Sequence, residues 1–257
     1  MAKILLNNIL LGDFKGVLFD KDGTLCNSEK YLLRLARSRI QETENQLKDK
    51  VSEIKLKRLS NLLCSIYGVR ANKLDPNRSL AIASRYENLI STATGICITL
   101  NNWSDSINIA NKAFSEAETK ITSESNLSIE RSILPGVKKL LINLESANLK
   151  CGIISNDTNE GIKDFLIKNN IEKKFSGYWS CDNQPRKPDP EAIKQFCKTL
   201  HLEPSECILI GDSDSDLRMA REAGIGIAAG YVSGWGMQPN LKFHQNLISD
   251  WNDITCP

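Results

Sequence analysis

Short apolar runs that alternate with helical patterns constrain the fold of the second half of this chain. From Leu134 onward, apolar residues recur at helical spacing and then gather into short runs. We predict helices at 136–148, 158–169, 190–200 and 214–223, and strands at 151–155, 177–180, 207–211 and 225–229. The strand segments lack an alternation of apolar and polar residues, which indicates that helices cover both faces. This order predicts an α/β fold with a doubly wound parallel sheet.

An earlier strand of the same kind lies in the stretch GVLFDKDGTL at residues 16–25. Its four apolar residues run directly into Asp20 and Asp22, so we assign the strand to the parallel sheet. The preceding segment, KILL-NN-ILLGDF, is interpreted as a short β-hairpin or a lead-in strand, because asparagine tolerates the turn conformation.

The middle of the chain differs from both flanks. Residues 26–131 carry many charges and apolar residues at helical spacing, without an obvious strand. One long amphipathic helix is predicted from Leu47, Val51, Ile54, Leu59, Leu62 and Ile66. Asp75 and Ser104 are interpreted as starts of further helices. We therefore expect an all-helical unit at 26–131, inserted into a Rossmann-like core formed by 1–25 and 132–257.

Composition excludes several classes of function. Of the 257 residues, 41% are hydrophobic and 25% are charged, as in ordinary globular proteins, and the formal net charge is +2. This charge balance does not call for nucleic acid or an anionic membrane as a partner, and no segment reaches the ~20 apolar residues of a membrane span. The eight cysteines form no CxxC pair, which argues against zinc and indicates reduced thiols in a cytoplasmic protein.

Polar residues collect at the ends of the predicted strands, where ligands of open α/β sheets bind. These residues are Asp20, Asp22, Ser155, Asn156 and Asp212, with Asp214 and Asp216 shortly after them and Lys187 in the loop before the helix at 190. Carboxylates are preferred ligands of Mg²⁺, and a lysine with short polar donors suits phosphate oxygens. An aspartate at such a site can act as a nucleophile through an aspartyl phosphate.

Four segments carry a resemblance to a known family. DKDGTL, Ser155-Asn156, Lys187-Pro188 and GDSDSDLRMAREAG follow one another in the order of the four motifs of the haloacid-dehalogenase-like hydrolase superfamily. The sequence resembles its phosphoglycolate-phosphatase-like branch, in which a helical cap follows the first motif. The resemblance covers about residues 14–26 and 132–230, and it implies a phosphatase acting on a small phosphorylated metabolite.

The resemblance also implies which residues carry the reaction. Asp20 would attack phosphorus, and Asp22 would be the general acid and base. Mg²⁺ would bind the Asp20 carboxylate, the backbone carbonyl of Asp22 and Asp212.

The same resemblance implies which residues bind the phosphoryl group. Ser155, the backbone of Asn156 and Lys187 would hold the phosphoryl group. Asp216 would orient Lys187, and Thr24 would support the site.

Alternative interpretations differ in their sequence support. The acidic run that starts at Asp212 imitates a calcium loop, but Leu217 and Ala223 stand where such a loop needs glycine and glutamate. A hydrolytic dehalogenase is disfavoured because Asp22 is present. A phosphoglucomutase-like enzyme uses the same aspartates, and Thr24 disfavours it only modestly. The interpretation as a binding protein with an inactive catalytic site also stays open, although every catalytic position is filled. The residues indicate neither the substrate ester nor the oligomeric state.

Overall fold

The computed structural model describes residues 1–123 and 131–257. Two compact units divide the chain. One unit combines Met1–Asn27 with Arg131–Pro257, and the other is Ser28–Glu130.

A six-stranded parallel sheet forms the centre of the first unit, with the strand order β12-β11-β10-β3-β8-β9. Its strands are β3 Gly16–Phe19, β8 Lys150–Ile154, β9 Gly177–Trp179, β10 Cys207–Gly211, β11 Ile227–Tyr231 and β12 Asn246–Ile248. The doubly wound parallel sheet predicted from the sequence is confirmed.

Helices pack on both faces of this sheet. They are α6 Val137–Ser146, α7 Asn159–Lys168, α8 Pro190–Thr199 and α9 Asp214–Ala223. The first two bury their apolar faces in one core cluster, and the last two bury theirs in a second cluster. Local capping explains where three of them begin: Thr158 and Ser213 cap α7 and α9, and Asp189 caps α8 with Pro190 in its first turn.

Two strands of the core differ from the sequence prediction by more than one residue at an end. β11 begins at Ile227 rather than at 225, because the Ile225 N–H still donates to the Ala220 carbonyl of α9 and belongs to the end of that helix. The edge strand β12 was not predicted, because its three residues lie in a polar segment without an apolar run.

A separate small sheet precedes the core strands. β1 (Ala2–Leu6) and β2 (Ile9–Phe14) form an antiparallel hairpin, and β13 (Ile254–Thr255) pairs with β1. Asn7 and Asn8 both have positive φ angles, 51° and 65°, at the turn. The predicted hairpin is confirmed. Two further short strands, β4 (Cys26–Asn27) and β7 (Ser132–Ile133), pair with each other.

The second unit is mainly helical. Its elements are α1 Glu29–Leu47, α2 Glu53–Tyr67, α3 Ser79–Ile82, α4 Arg85–Leu100, α5 Trp103–Ser123, and a two-stranded pair of β5 Val69–Arg70 and β6 Lys73–Leu74. The short strand pair was not predicted. Residues 124–130 of the predicted cap lie outside the described residues.

Three details predicted for this unit are wrong. The single helix through Leu47 and Ile66 is two helices, because Ser52 is extended (ψ 153°) and α2 starts after it. Asp75 does not start a helix. Its side chain accepts hydrogen bonds from Asn77 in a turn, and α3 begins four residues later. At the start of α5 the capping side chain is Asn102, which accepts from the Asp105 N–H, rather than Ser104.

The described helices offer no candidate membrane span, since none is both long enough and apolar enough.

Candidate active site

Lys187 joins two buried carboxylates at the carboxyl edge of the sheet. Its ammonium donates to Asp20 Oδ1 at 2.6 Å and lies 2.5 Å from Asp216 Oδ1. A third contact, 3.3 Å to the carbonyl of Ile154, places the ammonium at the end of β8. Burial alone would lower the pKa of Lys187, but the two carboxylates raise it above its usual value. This lysine therefore stays charged at neutral pH.

Asp216 is held on both sides. Its Oδ1 contacts Lys187, and its Oδ2 accepts from the Ser213 hydroxyl at 2.7 Å. The same Ser213 oxygen accepts from the Asp216 N–H and so caps α9. Since both carboxylate oxygens have protein partners, the geometry fits a residue that orients Lys187.

Asp212 lies at the end of β10 and accepts two hydrogen bonds. Thr24 Oγ1 donates to its Oδ1 at 3.3 Å, and the indole N–H of Trp235 donates to its Oδ2 at 2.5 Å. The backbone approaches closely here. A Cβ on Gly23 would lie 2.2 Å from Trp235 Nε1 and 2.5 Å from Asp212 Oδ2. A Cβ on Gly234 would lie 1.6 Å from the Gly23 carbonyl oxygen. Only glycine fits at either position.

Three carboxylates converge around these contacts. Asp20, Asp212 and Asp216 each offer an oxygen, and these oxygens lie within 4.8 Å of one another. All three residues are buried. Burial raises the pKa of Asp20 to about 6, with Lys187 opposing the rise, and burial together with Asp20 raises the pKa of Asp212 well above its usual value.

The charge of this cluster suits a divalent cation. With every group ionised, three carboxylates face one ammonium, which leaves two negative charges in excess. Carboxylate oxygens at this separation are the ligands that Mg²⁺ prefers. The charge and the ligand type of the residues present therefore fit the metal.

Ser155 and Asn156 follow β8, next to the Lys187 contact with Ile154. Ser155 is buried, and its hydroxyl oxygen accepts from the N–H of Asp157 at 3.1 Å. The residues predicted for phosphate binding thus lie at the end of the strand adjacent to β3 in the sheet.

Asp22 takes part in a second cluster. Its Oδ2 lies 2.6 Å from the ammonium of Lys21, which also lies 3.1 Å from Asp157 Oδ2. Arg131 binds the same Asp157 oxygen. Burial opposes ionisation of Asp157, but the Lys21 and Arg131 charges hold its pKa well below its usual range.

Several of these residues were not predicted from the sequence. Trp235 lies in a loop after β11, and neither spacing nor periodicity connects that loop with Asp212. Lys21 is visible between the two aspartates, but a sequence pattern does not show which way its side chain points. Asp214, in contrast, turns away from the cluster and accepts from the N–H groups of Lys242 and Phe243.

Comparison with known proteins places the chain in a family. Residues 14–224 match the family model for haloacid dehalogenase-like hydrolases. An N-acetylmuramic acid 6-phosphate phosphatase of Pseudomonas putida is 27% identical over an alignment of 124 residues that covers 44% of this chain and 55% of that protein. A phosphoglycolate phosphatase of Vibrio cholerae is 28% identical over 122 residues, 46% of this chain and 53% of its own. The chain spans about half the length of these curated relatives.

Solved structures resemble the fold over most of the chain. A predicted phosphoglycolate phosphatase from Haemophilus somnus has a TM-score of 0.61 at 18% identity, covering 93% of this chain and 96% of its own. A β-phosphoglucomutase from Clostridium difficile has a TM-score of 0.60 at 21% identity, covering 93% and 92%. At these identities the likeness concerns the fold alone.

Proposed function

The chain belongs to the haloacid dehalogenase-like hydrolases, and we propose that it is a Mg²⁺-dependent phosphatase acting on a small phosphate monoester. One observation carries this proposal: the three carboxylates of Asp20, Asp212 and Asp216 meet Lys187 in one buried cluster, with two negative charges in excess when every group is ionised. The names of the relatives, phosphatases of phosphoglycolate and of an N-acetylmuramic acid phosphate, support a small phosphorylated metabolite as substrate.

In the first step Asp20 attacks phosphorus. A carboxylate oxygen of Asp20 forms a bond to phosphorus, the ester P–O bond breaks, and the product alcohol leaves with a proton from Asp22. In the second step Asp22 takes a proton from water, the water oxygen attacks the aspartyl phosphate, and inorganic phosphate leaves. Asp20 is then a free carboxylate again, so the cycle closes with water as the acceptor.

The remaining site residues hold the phosphoryl group. Lys187, kept charged by Asp20 and Asp216, offers an ammonium at the point where negative charge develops. Ser155 and the Asn156 backbone supply short polar donors from the end of β8. Asp216 orients the lysine, which agrees with its contacts to Lys187 and Ser213.

Asp20, Asp212 and the backbone carbonyl of Asp22 would hold Mg²⁺. The ion supplies Lewis-acid polarisation of a phosphoryl oxygen. Thr24 and Trp235 donate to the two oxygens of Asp212 and fix its direction.

The helical region 26–131 is the cap domain of this proposal, inserted between the core segments 1–25 and 132–257. All eight cysteines are free thiols, which suits a reducing, cytoplasmic location.

Release of phosphate from a generic aryl phosphate with Mg²⁺ tests the function. The parent enzyme should release phosphate, and Asp20→Asn should retain less than about 1% of that activity, because an amide is not a competent nucleophile. Asp164→Asn, which alters an exposed aspartate, is the matched control and should keep full activity. Phosphate release by Asp20→Asn at the parent rate would contradict the assignment of Asp20 as the nucleophile. Conversion of one glucose phosphate isomer into another would favour the mutase instead.

A further inference from the structure

Lys21 is a fully buried lysine between the two aspartates of the first motif. Its side chain has 0% exposure, and its ammonium lies 5.7 Å from the centre of the Phe165 ring. Burial of an ammonium costs several kcal/mol unless carboxylates compensate it. Its surroundings therefore have to supply negative charge.

Two carboxylates face this ammonium. Asp22 Oδ2 lies at 2.6 Å and Asp157 Oδ2 at 3.1 Å. Asp157 also binds Arg131, so it has a cation of its own. The shorter of the two Lys21 contacts goes to Asp22, the carboxylate that has to reach the leaving group.

We propose that Lys21 is a positioning residue that fixes the Asp22 carboxylate for proton transfer to the leaving group. The inference rests on the proposed function, because it takes Asp22 as the general acid and base. Lys21 touches neither substrate nor phosphorus in this proposal and acts only through Asp22.

The chemical consequence depends on the leaving group. When the P–O bond breaks, an alkoxide leaving group needs the Asp22 proton, whereas a nitrophenolate leaves as a stable anion without it. Misplacing a catalytic group by about 1 Å can cost about 10²-fold. Loss of Lys21 should therefore slow the cleavage of alkyl esters and leave activated aryl esters nearly unaffected.

A purely structural role for Lys21 predicts a different result. If Lys21 only neutralised Asp157, its removal would lower the amount or stability of folded enzyme and slow both esters by the same factor. The ratio of kcat/KM for two esters, measured on one preparation, does not depend on the folded fraction. That ratio separates positioning from stability.

Lys21→Met is the informative variant, because methionine keeps an unbranched side chain and removes the ammonium group. Asp157 keeps Arg131, and the Asp22 side chain is 23% exposed, so neither carboxylate is left buried and alone. We expect kcat/KM for an alkyl phosphate to fall tenfold to about 10²-fold, and kcat/KM for p-nitrophenyl phosphate to change less than about twofold. The value of kcat/KM covers the steps from substrate binding to departure of the leaving group and excludes the later hydrolysis of the aspartyl phosphate, so the ratio compares the two esters over those steps.

Asp22→Asn and the double variant complete the test. Asp22→Asn should show the same preference for the aryl ester, and adding Lys21→Met should cause no further loss. Equal losses on both esters in Lys21→Met, or a multiplicative loss in the double variant, would overturn the positioning role. A parent enzyme that hydrolyses neither ester would instead overturn the proposed phosphatase function.

Discussion

At the scale of single residues, Lys187 depends on its neighbours for its charge and its direction. It contacts Asp20 and Asp216, and Asp216 is itself fixed by Ser213. We predict that Lys187→Ala raises KM and lowers kcat, with a loss in kcat/KM of about 10²–10³-fold, as for loss of one donor to developing charge. Asp216→Asn should give a smaller loss of the same kind, and the double variant should lose less than the product of the two. Steady-state kinetics of the three variants measures this, and multiplicative losses would mean that the two residues act independently.

We expect Trp235 to affect the binding of Mg²⁺ rather than the binding of phosphate. Its indole N–H donates to Asp212 Oδ2, and partners of metal-ligating groups typically contribute 10–100-fold to metal affinity. Trp235→Phe should weaken Mg²⁺ binding by about that factor, measured by isothermal titration calorimetry. Trp103→Phe alters a half-exposed indole in the helical unit and should leave the Mg²⁺ dissociation constant unchanged. If both variants bind Mg²⁺ like the parent, the hydrogen bond from Trp235 to Asp212 does not contribute to Mg²⁺ affinity.

At the scale of elements, the turn after β3 packs against the loop after β11. Gly23 has a φ of +77°, and a Cβ there would collide with Trp235 Nε1. Gly224 has a similar φ of +81°, but nothing lies within 4 Å of its Cβ position. Substitution of Gly224 therefore tests backbone strain alone, whereas substitution of Gly23 tests strain together with a side-chain collision.

Gly23→Ala should lower the free energy of unfolding more than its matched control Gly224→Ala does. An alanine in the left-handed region costs about 1–2 kcal/mol at either site. Only Gly23→Ala should also weaken Mg²⁺ binding, because its methyl group pushes Trp235 away from Asp212. Urea unfolding gives the stabilities and calorimetry the Mg²⁺ affinities. Equal Mg²⁺ affinities in both variants would show that the contact between turn and loop does not position the ligand.

The elements also show what a sequence pattern reveals. The buried strands β3, β8 and β10 were predictable, because apolar runs between helices have few alternatives. The meeting of Asp20, Lys187 and Asp212 followed from the rule that strand ends share one edge, whereas their chemical roles stay predictions. The break between α1 and α2 was missed because the apolar spacing continues across Ser52.

Contacts between distant segments were beyond such patterns. Trp235 reaches Asp212 from another loop, and Lys21 could have pointed to any neighbour of the first motif. Side-chain direction in a turn depends on packing by segments remote in sequence, which periodicity does not encode.

At the scale of the whole molecule, the acidic cluster connects metal binding with stability. Asp20, Asp212 and Asp216 are buried together, so their repulsion opposes folding until a cation offsets it. A ligand that binds only the folded state stabilises it by about 2.7 kcal/mol at a concentration of 100 Kd. For a chain of this size we therefore predict that saturating Mg²⁺ raises Tm by about 5–10 °C. Thermal unfolding with and without the ion measures the shift, and an unchanged Tm would count against a metal at this cluster.

Calcium separates this stabilisation from catalysis. Ca²⁺ accepts bidentate carboxylates and takes about 6–8 oxygens at about 2.3–2.6 Å, whereas Mg²⁺ demands near-octahedral geometry at about 2.0–2.1 Å. The larger ion can recruit both oxygens of Asp20 and so tie up the oxygen that must attack phosphorus. That step needs the reacting atoms about 3–3.5 Å apart and aligned. We predict that Ca²⁺ also raises Tm but inhibits phosphate release at fixed Mg²⁺. Full activity with Ca²⁺ alone would contradict a nucleophile that is also a metal ligand.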